Sequence, residues 1–252
     1  MNTNTNGTVE VLTQVGGNSK VVLHHHDYSD FVNVEIGSRS EPVALSGEDG
    51  AKLASGARTA LDHGIPLICH LNSTGAPPDS GVEALHGWGL AAKQLTKCSG
   101  VVPTIICVHQ TAVAGSALLL GLVDLVIMVD QSYTYVSGPR MVQEFTGVPV
   151  DHETLGGSGK HAQTSGVASF VVSDETEAEE LLEDILTLLP RNSACTPQPI
   201  STTDATDRKL IGIEKIIPEL TTGSYDVRDI LREVFDDRRV TEVRKEWATN
   251  LV

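Results

Sequence analysis

Short strands with one buried face open the sequence. Residues 8–15 and 31–36 alternate apolar and polar positions, as strands do when one face is buried, and residues 20–24 are predicted to form a further short strand between them. Ser46, with acidic residues in the turn that follows, then predicts a helix over residues 47–63. The first quarter of the chain is therefore predicted to be β-rich and to lead into a helix.

From residue 65 onward the predicted strands are apolar at nearly every position. Strands are predicted over residues 65–71, 102–108, 125–129, 133–136 and 167–172, and helices over 82–97, 115–122, from 137 onward, and 174–189. Strands of this kind are covered on both faces, which is typical of a parallel sheet flanked by helices. Ligands of such folds bind where the strands end, which singles out the predicted loops 72–81 and 109–115.

The hydrophobic pattern weakens after residue 190. Residues 190–207 are rich in Pro, Ser and Thr, and one more helix is predicted over about 227–235. We therefore predict a main domain over residues 1–190, a linker over 191–222, and a C-terminal helix and connector segment over 223–252. Within the main domain, the glycine-rich residues 156–159 are predicted to form a flexible loop.

The charge of the chain excludes several classes of function. The formal net charge is −15, whereas a nucleic-acid binder needs a cationic surface, and an anionic membrane is disfavoured for the same reason. The longest apolar stretch, residues 113–129, is interrupted and too short to span a bilayer. The start lacks the pattern of a signal peptide, and the cysteines form no paired motif, which together predict a cytoplasmic protein.

No side chain stands out as a metal ligand or a nucleophile. The consecutive residues His24–His26 would alternate between the faces of a strand, so no metal site is predicted. Ser116 follows a glycine at a helix start, roughly where a Clp-type protease carries its serine, but the favoured interpretation is a packing and capping residue. The other histidines are isolated. His109 and His161 rank above the rest because they flank the loops already singled out.

Backbone groups are the stronger candidates for chemistry. Residues 73–76 and 114–116 are small, follow buried strands and lead toward helices. Small residues let the main chain approach a ligand, and free N–H groups at a helix start can stabilise an oxygen that becomes negative during a reaction. Two such donors aimed at one thioester carbonyl would stabilise an enolate without any charged side chain.

A series of ordered motifs resembles the amino-terminal half of the carboxyltransferase β subunit of acyl-CoA carboxylases, a branch of the crotonase superfamily. The motifs are Gly100–Pro103, Val123–Val129, Ser137–Pro139, Thr146–Gly147, Leu155–Gly157, His161 and Thr164–Val167, followed by Asp174–Leu189, Pro190–Asn192, Tyr225–Val227, Asp236–Asp237 and Asn250. The resemblance implies an α/β fold, the crotonase/ClpP-like ββα spiral.

The resemblance also implies a set of site residues. The implied catalytic positions, which polarise the thioester, are Gly75, Ala76, Ala114 and Gly115; the implied substrate-binding positions are Ser73, Thr74, Ser116, Gly138, Pro139, Gly156, Gly157 and His161. Three positions depart from the family pattern: Thr74 and Ala114 replace glycines, and Pro77 replaces an arginine. The loss of that arginine removes a fixed cationic group from the substrate contacts.

Three functions follow from the resemblance as hypotheses. The first is a carboxyltransferase-type subunit that binds an acyl-CoA or acyl-carrier thioester, while a separate chain supplies the biotin-side half and a partner protein carries the biotin. The second is a biotin-independent decarboxylase of a malonyl- or methylmalonyl-type thioester. The third is a non-catalytic acyl-CoA-binding or assembly subunit. The family's half-subunits also imply a homo- or hetero-oligomer, and we expect the missing second half to lie on another polypeptide.

Overall fold

The structure is a computed structural model that describes residues 8–12, 18–25, 29–220 and 222–252. The strands are β1 (Thr8–Val11), β2 (Ser19–His25), β3 (Phe31–Ile36), β4 (Val43–Ala44), β5 (Leu67–Gly75), β6 (Thr104–Val113), β7 (Leu125–Val129), β8 (Tyr133–Tyr135) and β9 (Phe170–Val172). The helices are α1 (Gly47–His63), α2 (Gly81–Cys98), α3 (Gly115–Leu119), α4 (Pro139–Thr146), α5 (His152–Gly156), α6 (Ser158–Lys160), α7 (Glu175–Leu188), α8 (Ile213–Ile216) and α9 (Val227–Val234).

The strands lie in one mixed sheet whose parallel part carries the candidate site. The order is β1-β2-β3-β5-β6-β7-β9, with antiparallel pairing among the first three strands and parallel pairing from β3 onward. The prediction of a β-rich start followed by alternating strands and helices is confirmed. Residues 13–15 of the predicted first strand lie outside the described residues.

Strands β5 and β6 are longer than the sequence predicted, and each changes partners along its length. The first part of β5 pairs with β3, and its end pairs with β4; the end of β6 pairs with β8. The prediction of loops from residues 72 and 109 was wrong because polar residues continue these strands in buried positions. Asn72, which is 1% exposed, donates its amide to the carbonyl of Ser38 and accepts the N–H of Thr111.

Two hydrophobic cores cover the two faces of the parallel strands. Residues of β5 alternate between them: Leu67, Cys69 and Leu71 pack in the core that includes residues of α1 and α2. Ile68 packs in the second core, which includes residues of α7. This alternation confirms that the apolar strands are covered on both sides.

Helices α1 and α2 approach each other through glycines. A Cβ on Gly87 would lie 2.2 Å from the carbonyl oxygen of Gly47, and a Cβ on Gly50 would lie 2.4 Å from the carbonyl carbon of Gly87. The N-terminus of α1 is held by a capping box in which Ser46 and Asp49 exchange hydrogen bonds. Asp49 also accepts a 2.6 Å bond from the hydroxyl of Ser19 in β2, which ties α1 to the sheet.

The chain divides into two compact units, residues 1–198 and 199–252. The boundary falls inside the predicted linker, and α8 lies within that linker as an additional helical turn. In the first unit, the predicted flexible loop at residues 156–159 is instead part of consecutive helical turns, α5 and α6, followed by a π-helical turn over His161–Ser165. Among the described residues, no helix is both long and apolar enough to cross a membrane.

Candidate functional site

The two turns predicted to polarise a thioester lie against each other. Ser73 near the end of β5 pairs with Ala112 near the end of β6. Beyond that pair, a Cβ on Gly75 would lie 3.3 Å from both the Cβ of Ala114 and the carbonyl oxygen of Val113. Gly75 has φ +93°, a conformation that glycine adopts without strain. The sheet therefore brings together two chain segments that are far apart in sequence.

The hydrogen bonds of the turns distinguish their four N–H groups. The N–H of Gly75 donates to the Ser73 hydroxyl over 3.1 Å, and the N–H of Ala114 donates to the carbonyl of Tyr135 over 3.0 Å. In the part of the chain that the structure describes, the N–H groups of Ala76 and Gly115 have no acceptor. Of the four residues predicted to be catalytic, Ala76 and Gly115 therefore have the N–H groups available to a ligand.

An indole ring forms one wall of the Gly115 turn. A Cβ on Gly115 would lie 3.3 Å from three atoms of the Trp88 ring, so the space over this glycine is already filled. Trp88 is 7% exposed, and its Nε1–H has no hydrogen-bond acceptor among the described residues. Ala76, in contrast, is exposed. Trp88 was not among the site residues predicted from the sequence, because an isolated tryptophan on an amphipathic helix is typical of a core residue.

Ala114 adopts a backbone conformation that favours glycine. Its φ is 58° and its ψ is −123°, outside the regions that residues with a Cβ occupy without strain. Such a residue costs roughly 1–3 kcal/mol and persists where the surrounding structure imposes it. Here the N–H bond to Tyr135 and the start of α3 at Gly115 fix the turn on both sides.

We expect the substitution Ala114→Gly to stabilise the protein by about 0.5–2 kcal/mol. Glycine relieves the backbone strain at φ 58°. It also has more conformational entropy in the unfolded chain, which destabilises the folded protein by about 0.4–1 kcal/mol and offsets part of the gain. Urea unfolding of the two proteins measures the difference. Ala117→Gly in the neighbouring helix α3 is the matched control and should destabilise by about 0.5–1 kcal/mol. Destabilisation by both substitutions would contradict the strain at residue 114.

The serines of the turns support the main chain. Ser73 is fully buried and accepts the N–H of Gly75, as described above. Ser116 is also fully buried, and its hydroxyl donates to the carbonyl of Val113 over 2.8 Å. The burial of Ser116 fits the interpretation as a packing residue, but the capping role was wrong, because the start of α3 has no side-chain cap hydrogen bond among the described residues. Thr74 is exposed beside the turn.

The predicted substrate-binding glycines lie next to β8. Gly138 precedes Pro139, the first residue of α4, and packs against the ring of Tyr135. Gly156 and Gly157 are buried, and a Cβ on Gly156 would lie 2.0 Å from the carbonyl oxygen of Thr134. The close approach of Gly156 to the backbone of Thr134 thus holds α5 against β8. Direct contact of these glycines with a substrate stays a prediction.

His161 joins the same region to β8. Its Nε2 lies 2.8 Å from the carbonyl oxygen of Thr134, and its Nδ1 lies 2.7 Å from the hydroxyl of Ser165. The carbonyl can only accept, so Nε2 carries a proton. Both ring nitrogens are therefore engaged within the protein, and a role of His161 in substrate binding stays a prediction.

An aromatic cluster beside Gly138 was missed in the sequence. The rings of Tyr133 and Tyr135 stack with centroids 5.5 Å apart, and the Tyr135 hydroxyl lies 2.7 Å from Nδ1 of His152. Burial, followed by the neighbouring Tyr133, raises the pKa of Tyr135 above its usual value. The spacing of two residues in β8 was a signal for this cluster, since residues i and i+2 of a strand share a face.

Most of the chain matches a known protein family. Residues 41–252 match the carboxyl transferase domain. The chain belongs to this family. The resemblance to carboxyltransferase β subunits of acyl-CoA carboxylases is thereby confirmed.

Individual relatives of this carboxyl transferase domain are moderately similar. The carboxyltransferase subunit of propionyl-CoA carboxylase from Haloferax mediterranei is 32% identical over 194 residues, which cover 77% of this chain and 38% of that protein. The α subunit of methylmalonyl-CoA decarboxylase from Veillonella parvula is 30% identical over 220 residues, covering 87% and 42%. The chain thus spans less than half the length of these relatives.

Solved structures confirm the fold. The transcarboxylase 12S structure matches with a TM-score of 0.87 at 24% identity, covering 93% of this chain and 46% of that one. The β subunit of geranyl-CoA carboxylase from P. aeruginosa matches with a TM-score of 0.63 at 22% identity, covering 89% and 42%. The predicted α/β class with a crotonase-like arrangement is therefore confirmed.

Proposed function

We propose that this carboxyl transferase domain binds an acyl-CoA or acyl-carrier thioester and stabilises its enolate while a carboxyl group is transferred. The observation that carries the proposal is a pair of N–H groups, on Ala76 and Gly115 at the adjacent ends of β5 and β6, that have no acceptor among the described residues. Both belong to turns that contact each other, as the Gly75–Ala114 approach demonstrates.

The chemistry requires such donors at one oxygen. When a carboxyl group leaves the carbon next to a thioester, the electron pair of the broken bond moves into the carbonyl and places a negative charge on its oxygen. When a carboxyl group is added, the same enolate attacks it. Backbone N–H groups that are already oriented stabilise this charge without reorganisation. Gly75 and Ala114 shape the two turns, and Ser73 and Ser116 hold them in place.

Partner polypeptides are part of the proposal. A relative from Mycobacterium leprae, 30% identical over 211 residues, is named a biotin-dependent acetyl-/propionyl-coenzyme A carboxylase subunit. We propose that this chain likewise works with a biotin carrier and a second carboxyltransferase half. Helices α2, α3 and α4 expose large apolar side chains, which supports the proposal that they form a surface for a partner. These side chains are Val82, Leu85, Leu118 and Phe145, which are 61–85% exposed.

A decarboxylase is the second candidate. The similarity to a methylmalonyl-CoA decarboxylase subunit over 87% of the chain favours it, and the same N–H pair would serve that reaction. A non-catalytic acyl-CoA-binding subunit is the third hypothesis and is favoured by the replacements at Thr74 and Ala114. The cytoplasmic location and the oligomeric state stay predictions.

Two measurements test these functions. We expect the purified chain to bind methylmalonyl-CoA or malonyl-CoA in a calorimetric titration, without releasing CO2 at an enzymatic rate. We also expect the tagged chain to co-purify from its native host with a biotin-containing protein and a second carboxyltransferase half. Rapid CO2 release by the chain alone would favour the decarboxylase. Failure to bind either CoA thioester would contradict the thioester site.

A further inference from the structure

Two histidines and a cysteine form a buried cluster in the parallel sheet. His70 in β5 is paired with Cys107 in β6, and His109 lies two residues farther along the same strand. Since residues i and i+2 of a strand share a face, all three side chains lie on one side of the sheet. They are 0–5% exposed. The cluster lies upstream of the two turns on the same two strands.

The ligating atoms of this cluster converge. Nδ1 of His70 lies 2.9 Å from Nε2 of His109, and these two nitrogens and the sulfur of Cys107 all lie within 4.8 Å of one another. Two nitrogens bound to one Zn²⁺ at about 2.0–2.1 Å in a tetrahedral site are roughly 3.3 Å apart. The two nitrogens, 2.9 Å apart, would therefore separate by roughly 0.4 Å to hold an ion between them.

A carboxylate orients one of the rings. Nδ1 of His109 contacts the carboxylate of Glu175, the first residue of α7. The negative charge favours a proton on Nδ1, which leaves Nε2 with a lone pair directed at His70. Histidine ligands of metals commonly bind a carboxylate through their second nitrogen in this way.

The charge state of the cluster suits a divalent cation. Metal ligands are deprotonated, so binding a cation requires neutral rings at His70 and His109 and displacement of the proton from the buried Cys107 thiol. Two neutral imidazoles and one thiolate leave one positive charge on a bound divalent ion. The adjacent Glu175 carboxylate balances that charge in a buried environment.

We propose that His70, Cys107 and His109 form a binding site for a divalent cation of the zinc class. The mixed nitrogen and sulfur set matches the preference of Zn²⁺. The ion would join β5 to β6 and, through Glu175, connect both strands to the start of α7. The sequence predicted no metal site because the ligands come from two strands that only the fold brings together.

Cobalt reports directly on such a site. The full chain, free of any affinity tag and treated with a chelator, is titrated with Co²⁺. We expect one Co²⁺ per chain, with the charge-transfer absorption of a cobalt–thiolate bond, and displacement by Zn²⁺. Zn²⁺ should also raise the Tm, because a ligand that binds only the folded state stabilises it.

Variants separate this site from other thiols and histidines. Cys107→Ser should abolish the absorption and the Tm increase, whereas Cys195→Ser, which changes the exposed cysteine, should retain both. Glu175→Gln should weaken binding by about 10- to 100-fold. Cobalt uptake without the thiolate absorption in the unsubstituted chain would overturn the proposal. Absorption that persists in Cys107→Ser would overturn it as well.

Discussion

The substitution Gly115→Val is expected to lower the rate of carboxyl transfer by about 100- to 1,000-fold, the loss typical of removing one donor from an oxyanion site. A Cβ at this position would lie 3.3 Å from the Trp88 ring, and the branched valine extends farther. The turn must therefore shift, and the N–H of Gly115 moves with it. The measurement is carboxyl transfer to or from methylmalonyl-CoA by the assembly purified from the native host through the tagged chain.

The control for this substitution, Gly121, lies six residues farther along the chain. Gly121→Ala places a Cβ where no atom of the described residues lies within 4 Å, so activity should be unchanged. Because the N–H acts on the charged enolate more than on the bound substrate, Gly115→Val should lower kcat more than it raises KM. Equal activities of the two variants, with both folded by circular dichroism, would rule out the N–H of Gly115 as a donor.

The largest expected loss of stability comes from Gly87→Ala, at about 2–3 kcal/mol. The new Cβ would lie 2.2 Å from the carbonyl oxygen of Gly47 and 2.6 Å from its Cα. Because backbone atoms cannot rotate away as a side chain can, α1 and α2 would have to separate, a form of overpacking. Urea unfolding measures the change in the free energy of unfolding.

A glycine two residues away provides the matched control. Gly89 is exposed in the same helix, and in the part of the chain that the structure describes a Cβ there would meet no atom within 4 Å. Gly89→Ala should therefore stabilise the protein by about 0.5–1 kcal/mol, the ordinary helix preference of alanine. If Gly87→Ala were also stabilising, the close approach of the two helices would be contradicted.

Local signals were sufficient for several elements of the fold. The bounds of α1 were predicted because both ends carry strong local signals: the capping box at Ser46 and the left-handed Gly64, with φ 63°, after the last turn. Strands β3 and β7 were also predicted at their observed bounds, since their hydrophobic patterns have clear limits. Where the chain encodes a structure within a few neighbouring residues, sequence patterns are enough.

Other features depend on distant partners. The polar end of β5 was predicted as a loop because Asn72 is satisfied by Ser38, which lies on a different segment. The helical turns after residue 151 overrode the glycine pattern because Ser158 donates its N–H to the carbonyl of Ser132 and Gly157 pairs with Tyr133. In the site, the turns were located from their small residues. Which N–H groups stay available depends on the carbonyl of Tyr135, a contact made by tertiary structure.

The position of Trp88 gives the molecule an intrinsic optical reporter. The chain has two tryptophans, and they belong to different units: Trp88 is buried beside Gly115, whereas Trp247 is 48% exposed in the second unit. Replacing Trp247 with phenylalanine would leave one fluorescent indole, at the wall of the Gly115 turn. A change in its emission would then follow events at that turn in real time, without any added label.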